Sequence, residues 1–210
     1  VDPFIIYLAA SSLISLVASL IAWRRPASGS FPLGLLLLGM SIWSGCYAVS
    51  LTDISLAGKS FWLGMMFIGV ASVPVLYLIF VLEFTHREKW LTPSHLLLFL
   101  VIPVVSLLLH WTNQYHHLVF LSFRSFELDN MLVIQYVRGP WYYVGMTYSY
   151  AVIALGFVLL FISTIYSGSL LRRHYYQILL ASFFSLLASL YSESTLLNRS
   201  ALDQLPISFG

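Results

Sequence analysis

The chain has few charged residues and a single cysteine, and both shortages narrow the class of protein to which it can belong. Charged residues make up 9% of its 210 residues, whereas an ordinary soluble domain carries about 25%. An ordinary soluble domain is therefore excluded. The net charge of +2, without any basic stripe, argues against a nucleic-acid partner. Because Cys46 is the one cysteine, an intrachain disulfide and a cysteine metal cluster are excluded as well.

Long apolar runs take the place of the missing charge, since 60% of the residues are hydrophobic. A helix needs about 20 apolar residues to cross the core of a bilayer. Six segments qualify, and they predict an all-α integral membrane helical bundle with the lipid bilayer as its first partner. The predicted spans cover residues 4–23, 32–51, 61–82, 93–111, 141–166 and 178–197.

The basic residues predict how this bundle is oriented. Short connections rich in Lys and Arg stay in the cytoplasm, and three of the five connections are of this kind, with Arg24, Arg25, Arg87, Lys89, Arg172 and Arg173. The other side carries basic residues that are spread over more sequence, namely Lys59, Arg124, Arg138 and Arg199. A multi-pass protein of the cell (plasma) membrane with its N-terminus outside is predicted.

The closing stretch "LDQLPISFG" has Pro206 at a position that suits the first turn of a helix. Six spans that start outside leave Gly210 outside as well. We therefore expect a seventh span that begins near residues 206–210 and is truncated in this chain.

The fourth connection, residues 112–139, is far longer than the others. Its stretches "LVFLSFRSFEL" and "MLVIQYV" are rich in residues that favour strands, and Asp129-Asn130 between them suits a turn. A small extracellular β-hairpin between the fourth and fifth spans is predicted. Because both faces of this hairpin are apolar, we expect it to pack on the helices or on lipid headgroups.

Polar and aromatic residues gather at both ends of this connection, in "LLLHWTNQYHHLVF" and "RGPWYYVGMTYSY". Aromatic walls with a few convergent polar groups are what a small-ligand pocket needs. Asn113 can donate and accept hydrogen bonds, and His117 can change charge near neutral pH. The alternative is an aromatic belt that caps helix ends and anchors the interface. The predicted ligand-binding residues are Trp111, Asn113, His117, Tyr143, Tyr148 and Glu193.

Three stretches of the chain resemble a known family: "PVLYLIFVLEFTHREKWL", "LLHWTNQYHHLVF" and "RGPWYYVGMTYSYAVIALGFVLL". They are similar to the N-terminal seven-transmembrane (7TM) sensor region of bacterial histidine kinases, a module also found on diguanylate cyclases. The resemblance covers nearly the whole chain. It implies a sensory input module, residues 1–210, with an outside N-terminus, a cytoplasmic output domain after the last helix, and a homodimer formed through the full-length protein.

The chain departs from that family by stopping before the seventh helix and by lacking kinase or cyclase sequence. We therefore expect a membrane-embedded sensory domain without catalytic residues or cofactors, which detects an extracellular or membrane-borne stimulus, such as a small molecule or a lipid-like compound. None of the six histidines is assigned the phospho-accepting role.

Two other functions stay open at this point. One is a membrane-embedded metal-binding protein or enzyme that uses the outer His/Glu cluster of His110, His116 and Glu193, although no H-E-x-x-H spacing exists. The other is a small-molecule transporter, for which broken helices in repeated halves would be typical. The sequence contains no such internal repeat.

Overall fold

The structure is a computed structural model, and it describes residues 3–52, 55–128 and 131–202. Helices dominate these residues, and a two-stranded sheet lies between the fourth and fifth long helices. The elements in chain order are α1 (Pro3–Trp23), α2 (Ser30–Thr52), α3 (Leu56–Phe84), α4 (Pro93–Trp111), α5 (Asn113–His116), β1 (Phe120–Leu128), β2 (Met131–Arg138), α6 (Pro140–Tyr166) and α7 (Ser169–Leu202).

Among the described residues, five helices are long and apolar enough to cross a membrane: α1, α2, α3 from Ala57, α4 and α6. The chain is therefore an all-α membrane domain with a small sheet added. The sixth predicted span, residues 178–197, lies within α7.

Side-chain caps fix the beginnings of two of these helices. Ser55 precedes α3, and its hydroxyl accepts a hydrogen bond from the Gly58 backbone N–H at 3.0 Å. Thr92 precedes α4, where Pro93 occupies the first turn. Caps of this kind satisfy amide groups that have no partner within the helix.

Two compact units divide the chain, residues 1–156 and 157–210. In the first unit, α1 packs on α2 and α2 packs on α3. The fully buried core residues Val75, Leu78, Val81 and Leu82 all lie on α3. In the second unit, the buried residues include Leu160 near the end of α6 and Tyr175 and Leu179 of α7.

Small polar residues form the contact between α1 and α2. Ser12 and Ser41 donate to each other's backbone carbonyls, both at 2.9 Å, and Ser19 donates to the carbonyl of Gly34 at 2.7 Å. Small residues of this type allow membrane helices to approach closely. The spacing of Ser12 and Ser19 along α1 therefore corresponds to a helix-packing face.

The strands β1 and β2 pair antiparallel, from Phe120 opposite Arg138 to Leu128 opposite Met131, with an irregularity between Phe120 and Ser122. The turn predicted at residues 129–130 lies outside the described residues. Backbone bonds tie the base of this sheet to the start of α6, since Trp141 N–H donates to the carbonyl of Leu118 at 3.0 Å.

Lys59 lies in the first turn of α3 and is only 4% exposed. Its ammonium nitrogen Nζ donates to the carbonyl of Ser50 at 2.7 Å. Ser50 belongs to the last turn of α2, whose carbonyls have no partner within that helix and which carries the negative end of the helix dipole. This basic residue of the second connection therefore caps a helix rather than lying at the surface.

Candidate functional site

Four aromatic rings from four different elements stack in sequence where the sheet meets the helices. The Phe67 ring of α3 lies parallel to the His110 ring of α4, with 4.3 Å between centroids. The Phe120 ring of β1 meets His110 edge-on at 5.7 Å and lies 4.4 Å from the Tyr136 ring of β2. We call Phe67, His110, Phe120 and Tyr136 the aromatic stack. It links both strands to two membrane helices.

The stack continues into α6 through Tyr142. The Phe120 and Tyr142 rings lie 6.0 Å apart, and the Arg138 guanidinium carbon lies 4.8 Å from the centroid of the Tyr142 ring. A guanidinium at this distance is attracted by the electron-rich face of the ring. Phe120 therefore contacts rings from α4, β2 and α6 at once.

The strand register explains why these side chains meet. Phe120 is paired with Arg138, and side chains two residues apart on a strand point to the same face, so Tyr136 and Arg138 share the face of Phe120. Burial at this face raises the pKa of Tyr136 above its usual value, because apolar surroundings disfavour the charged phenolate.

Asn113 fixes the position at which β1 begins. Its Oδ1 accepts hydrogen bonds from the backbone N–H groups of Val119, at 2.9 Å, and Phe120, at 3.1 Å. Its Nδ2 donates to the carbonyl of Phe120 at 2.8 Å. Both acceptor lone pairs and one of the two amide protons are thereby used. The side chain holds in place the residue at the centre of the aromatic stack.

His116 is similarly occupied by local contacts. Its Nδ1 accepts a hydrogen bond from the Leu118 N–H at 3.0 Å, so in the neutral ring the proton lies on Nε2. Nε2 then donates to the Thr112 hydroxyl at 3.1 Å, and that hydroxyl donates to the carbonyl of Leu108 at 2.7 Å. The next residue, His117, ends α5 with a left-handed backbone, φ 54°, and is exposed.

Tyr148 compensates for a proline in the neighbouring helix. Pro103 lies inside α4 and has no N–H, so the carbonyl of Phe99, four residues earlier, loses its helical partner. The Tyr148 hydroxyl of α6 donates to that carbonyl. Nearby, Trp141 Nε1 donates to the hydroxyl of Ser106 at 3.0 Å. These two bonds join α6 to α4.

His110 differs from these residues because it keeps an unused polar atom. Its Nδ1 is buried and has no hydrogen-bond partner in the part of the chain that the structure describes. Both of its ring contacts are with phenylalanines, Phe67 and Phe120. His110 is therefore held in the stack by its ring faces and edges.

The structure gives the predicted ligand-binding residues several different environments. Asn113 and Tyr148 are bonded to backbone groups. Trp111 and Tyr143 are large and exposed, at the end of α4 and in the first turn of α6. Glu193 lies in α7, and the structure describes its backbone alone. Their convergence on one pocket stays a prediction.

Of the four residues of the stack, sequence reasoning named only His110, and it did so as part of a possible metal site. The alternation of residues in the predicted strands could have placed Phe120 and Tyr136 on one face, but Phe67 lies in an apolar span where nothing distinguishes it. For the metal alternative, no group of three His, Cys, Asp or Glu residues in the described ranges could hold an ion. The two ring nitrogens of His116 are also engaged elsewhere.

Comparison with known proteins gives one match. A family model described as the N-terminal 7TM region of histidine kinase matches residues 7–210. No curated protein and no solved structure matches the chain.

Proposed function

Because the chain belongs to the family of N-terminal 7TM regions of histidine kinases, we propose that its aromatic stack passes an external stimulus to a cytoplasmic output domain. The family makes the chain a membrane sensor domain, which is a non-catalytic part of a histidine kinase, and its apolar helices make it a multi-pass protein of the plasma membrane. The stimulus in this proposal is extracellular or membrane-borne, and the output domain is a kinase.

The proposed topology has six spans in this chain, the sixth in α7, followed by a seventh. The N-terminus and the sheet lie outside, and the connections with Arg24, Arg87 and Arg172 lie in the cytoplasm. The concentration of basic residues in those short connections supports this orientation. The full-length protein acts as a homodimer in this proposal, by analogy with histidine kinases.

The observation that carries the proposal is the position of Phe120. Its ring touches His110 of α4, Tyr136 of β2 and Tyr142 of α6, while Asn113 holds its backbone. A stimulus that displaces β1 must therefore shift these ring contacts or break them. Such a stimulus changes helix packing only by the difference in its affinity for the two arrangements.

The stimulus itself acts, in this proposal, beside the base of the sheet. Trp111, His117 and Tyr143 are exposed there, whereas Asn113 and Tyr148 are bonded to backbone groups. An exposed Trp and Tyr can contact an apolar molecule, and His117 can bind a polar group.

The test is a comparison of two neighbouring substitutions in the full-length kinase, reconstituted in vesicles. Phe120→Ala removes the ring at the centre of the stack, whereas Leu121→Ala alters an exposed side chain of the same strand. We expect Phe120→Ala to change basal autophosphorylation by about fivefold or more, the lower end of usual allosteric couplings. Leu121→Ala should leave it unchanged.

Size-exclusion chromatography separates loss of coupling from loss of fold. If the Phe120→Ala protein is monodisperse, melts like the parent and keeps the parent's autophosphorylation, the stack does not transmit a signal. If both substitutions change autophosphorylation equally, the effect belongs to the sheet as a whole and the assignment to Phe120 fails.

The topology has its own test, with single cysteines in a Cys46→Ser background. Gln114→Cys should react with an impermeant thiol reagent on intact cells, and Ala27→Cys should react only after lysis. Both positions are exposed, unlike Lys59. The opposite pattern of labelling would reverse the orientation.

A further inference from the structure

Large apolar side chains are exposed in segments that flank the ends of membrane helices. They occur in residues 111–121 and 137–143, between the last residue of α4 and the first turn of α6. The backbone bonds from Gly139 to Val119 and from Trp141 to Leu118 hold the two segments together. We call these side chains the exposed patch: Trp111, Tyr115, Leu118, Leu121, Val137 and Tyr143.

Where the exposed patch includes residues of the sheet, these are residues that do not take part in the aromatic stack. Val119 is 1% exposed and Phe120 is half-buried, while Leu118 and Leu121 on either side of them are exposed. On β2, Tyr136 faces the stack, and Val137 points away from it. Both faces of this short sheet segment are therefore apolar. Exposure to water is unfavourable for both faces.

The identity of these residues indicates what covers the patch. Trp and Tyr combine an apolar ring with a polar group, and they concentrate where the hydrocarbon core meets the headgroups. The patch begins at Trp111, where the membrane helix α4 ends, so this boundary is adjacent. The lipid headgroups at this boundary can therefore cover the patch, and no second protein is needed for that.

The charge of the segments around the exposed patch is compatible with contact to a lipid surface. Residues 107–122 and 136–148 contain no Asp or Glu, and when histidines are counted as neutral their one charged residue is Arg138. Nothing in these segments repels the phosphates of a bilayer.

From these observations we propose that the exposed patch lies in the headgroup layer of the membrane, so that the base of the sheet rests on lipid rather than projecting into water. The occupant of the patch is the bilayer surface itself. This proposal does not depend on signalling. It does predict that a molecule approaching the stack from the membrane side encounters the patch first.

Spin labels attached at single cysteines test the proposal, with the whole chain reconstituted in vesicles of phosphatidylcholine and phosphatidylglycerol. The labelled variants are Tyr115→Cys, at a side chain 79% exposed, and Leu121→Cys, both in the Cys46→Ser background. The measured quantities are collision rates of the label with oxygen, which partitions into lipid, and with a nickel complex, which stays in water. Ala27→Cys and Ile14→Cys serve as water and lipid references.

We expect the ratio of oxygen to nickel collisions at 115 and 121 to lie between the values at Ala27 and Ile14, because the headgroup layer lies between water and hydrocarbon. A ratio equal to that at Ala27 would mean that the patch faces water, and the proposal would be wrong. Low collision rates with both reagents would mean that protein covers the patch, which also overturns it. Each variant is first checked for a monodisperse elution profile, and two positions guard against one local perturbation.

Discussion

Two groups of contacts in the first unit are built from different kinds of residue. Between α1, α2 and α3, small residues bring helix backbones together: Ser12 and Ser41 bond across α1 and α2, and Gly69 of α3 approaches the backbone of α2 at Gly39. Around the sheet, by contrast, long side chains bridge the elements, through stacked rings and the amide of Asn113.

The difference indicates which part of the unit can rearrange. Backbones in direct contact permit little sliding, because every shift creates a clash or leaves a serine hydroxyl without its acceptor in a medium without water. Rings that meet by faces and edges can tilt or exchange partners at a smaller cost, since each such contact is worth about 1 kcal/mol. We therefore regard α1–α3 as the scaffold and the sheet with α4 as the movable part.

The strongest test of the scaffold is Gly69→Leu. A Cβ at this glycine would lie 2.8 Å from the backbone nitrogen of Trp43, so even the first added carbon clashes with α2. We expect the free energy of unfolding to fall by about 3 kcal/mol or more, at the upper end for overpacked cores. The loss would be seen as a lower melting temperature and a smaller folded fraction in detergent. Gly64→Ala is the control from the same helix, because a Cβ at Gly64 would lie 3.8 Å from its nearest neighbouring atom, Nε2 of His110. A folded, heat-stable Gly69→Leu protein would contradict the close contact.

On the movable side, the largest effect is expected from Asn113→Ala. This substitution leaves two amide groups and one carbonyl at the start of β1 without their partner, and we expect a cost of about 1–3 kcal/mol. Hydrogen exchange at Val119 and Phe120 should accelerate, while exchange in α1–α3 should not. Gln114→Ala, at an exposed neighbour, is the control. Equal exchange in both variants would show that Asn113 does not hold the start of β1 in place.

Ser12 and Ser41 give a smaller test of the scaffold. Changing both to Ala removes a reciprocal pair of hydrogen bonds but keeps the close packing of α1 on α2. We expect the free energy of unfolding to fall by about 1–2 kcal/mol, as for polar contacts between membrane helices. Thermal melting in detergent measures this change. Ser11→Ala, at an exposed position of α1, should have no effect. A loss as large as that of Gly69→Leu would mean that hydrogen bonds, rather than close packing, hold the scaffold.

The scaffold was more accessible to sequence reasoning than the movable part. Apolar runs identify membrane helices because lipid enforces both their length and their composition. The aromatic stack depends on long-range geometry instead. Phe67 is one apolar residue among many in α3, and only the folded chain shows that it meets His110.

Lys59 shows a second limit of sequence reasoning. The predicted third span begins at residue 61 and leaves Lys59 in the preceding connection, but Lys59 lies in α3, where its side chain is buried and bonded to the carbonyl of Ser50. An apolar span does not mark where a helix begins. The cap at Ser55 starts α3 before the apolar run, so Lys59 falls within the first turn and reaches the end of α2.

The smallest expected effect concerns Tyr148, a residue predicted from the sequence to bind a ligand. Its hydroxyl donates to the carbonyl of Phe99, which lacks a helical partner because Pro103 has no N–H. Tyr148→Phe should therefore destabilise the protein by about 0.6 kcal/mol, the average for such bonds between membrane helices. Pro103→Ala restores the missing N–H, so in that background Tyr148→Phe should cost almost nothing. Thermal melting of the four proteins in this double-mutant cycle measures the coupling. If Tyr148→Phe lowers the free energy of unfolding equally in both backgrounds, the Tyr148 hydroxyl does not replace the helical partner that the Phe99 carbonyl lacks. A role in ligand binding then becomes the better explanation for the position of Tyr148.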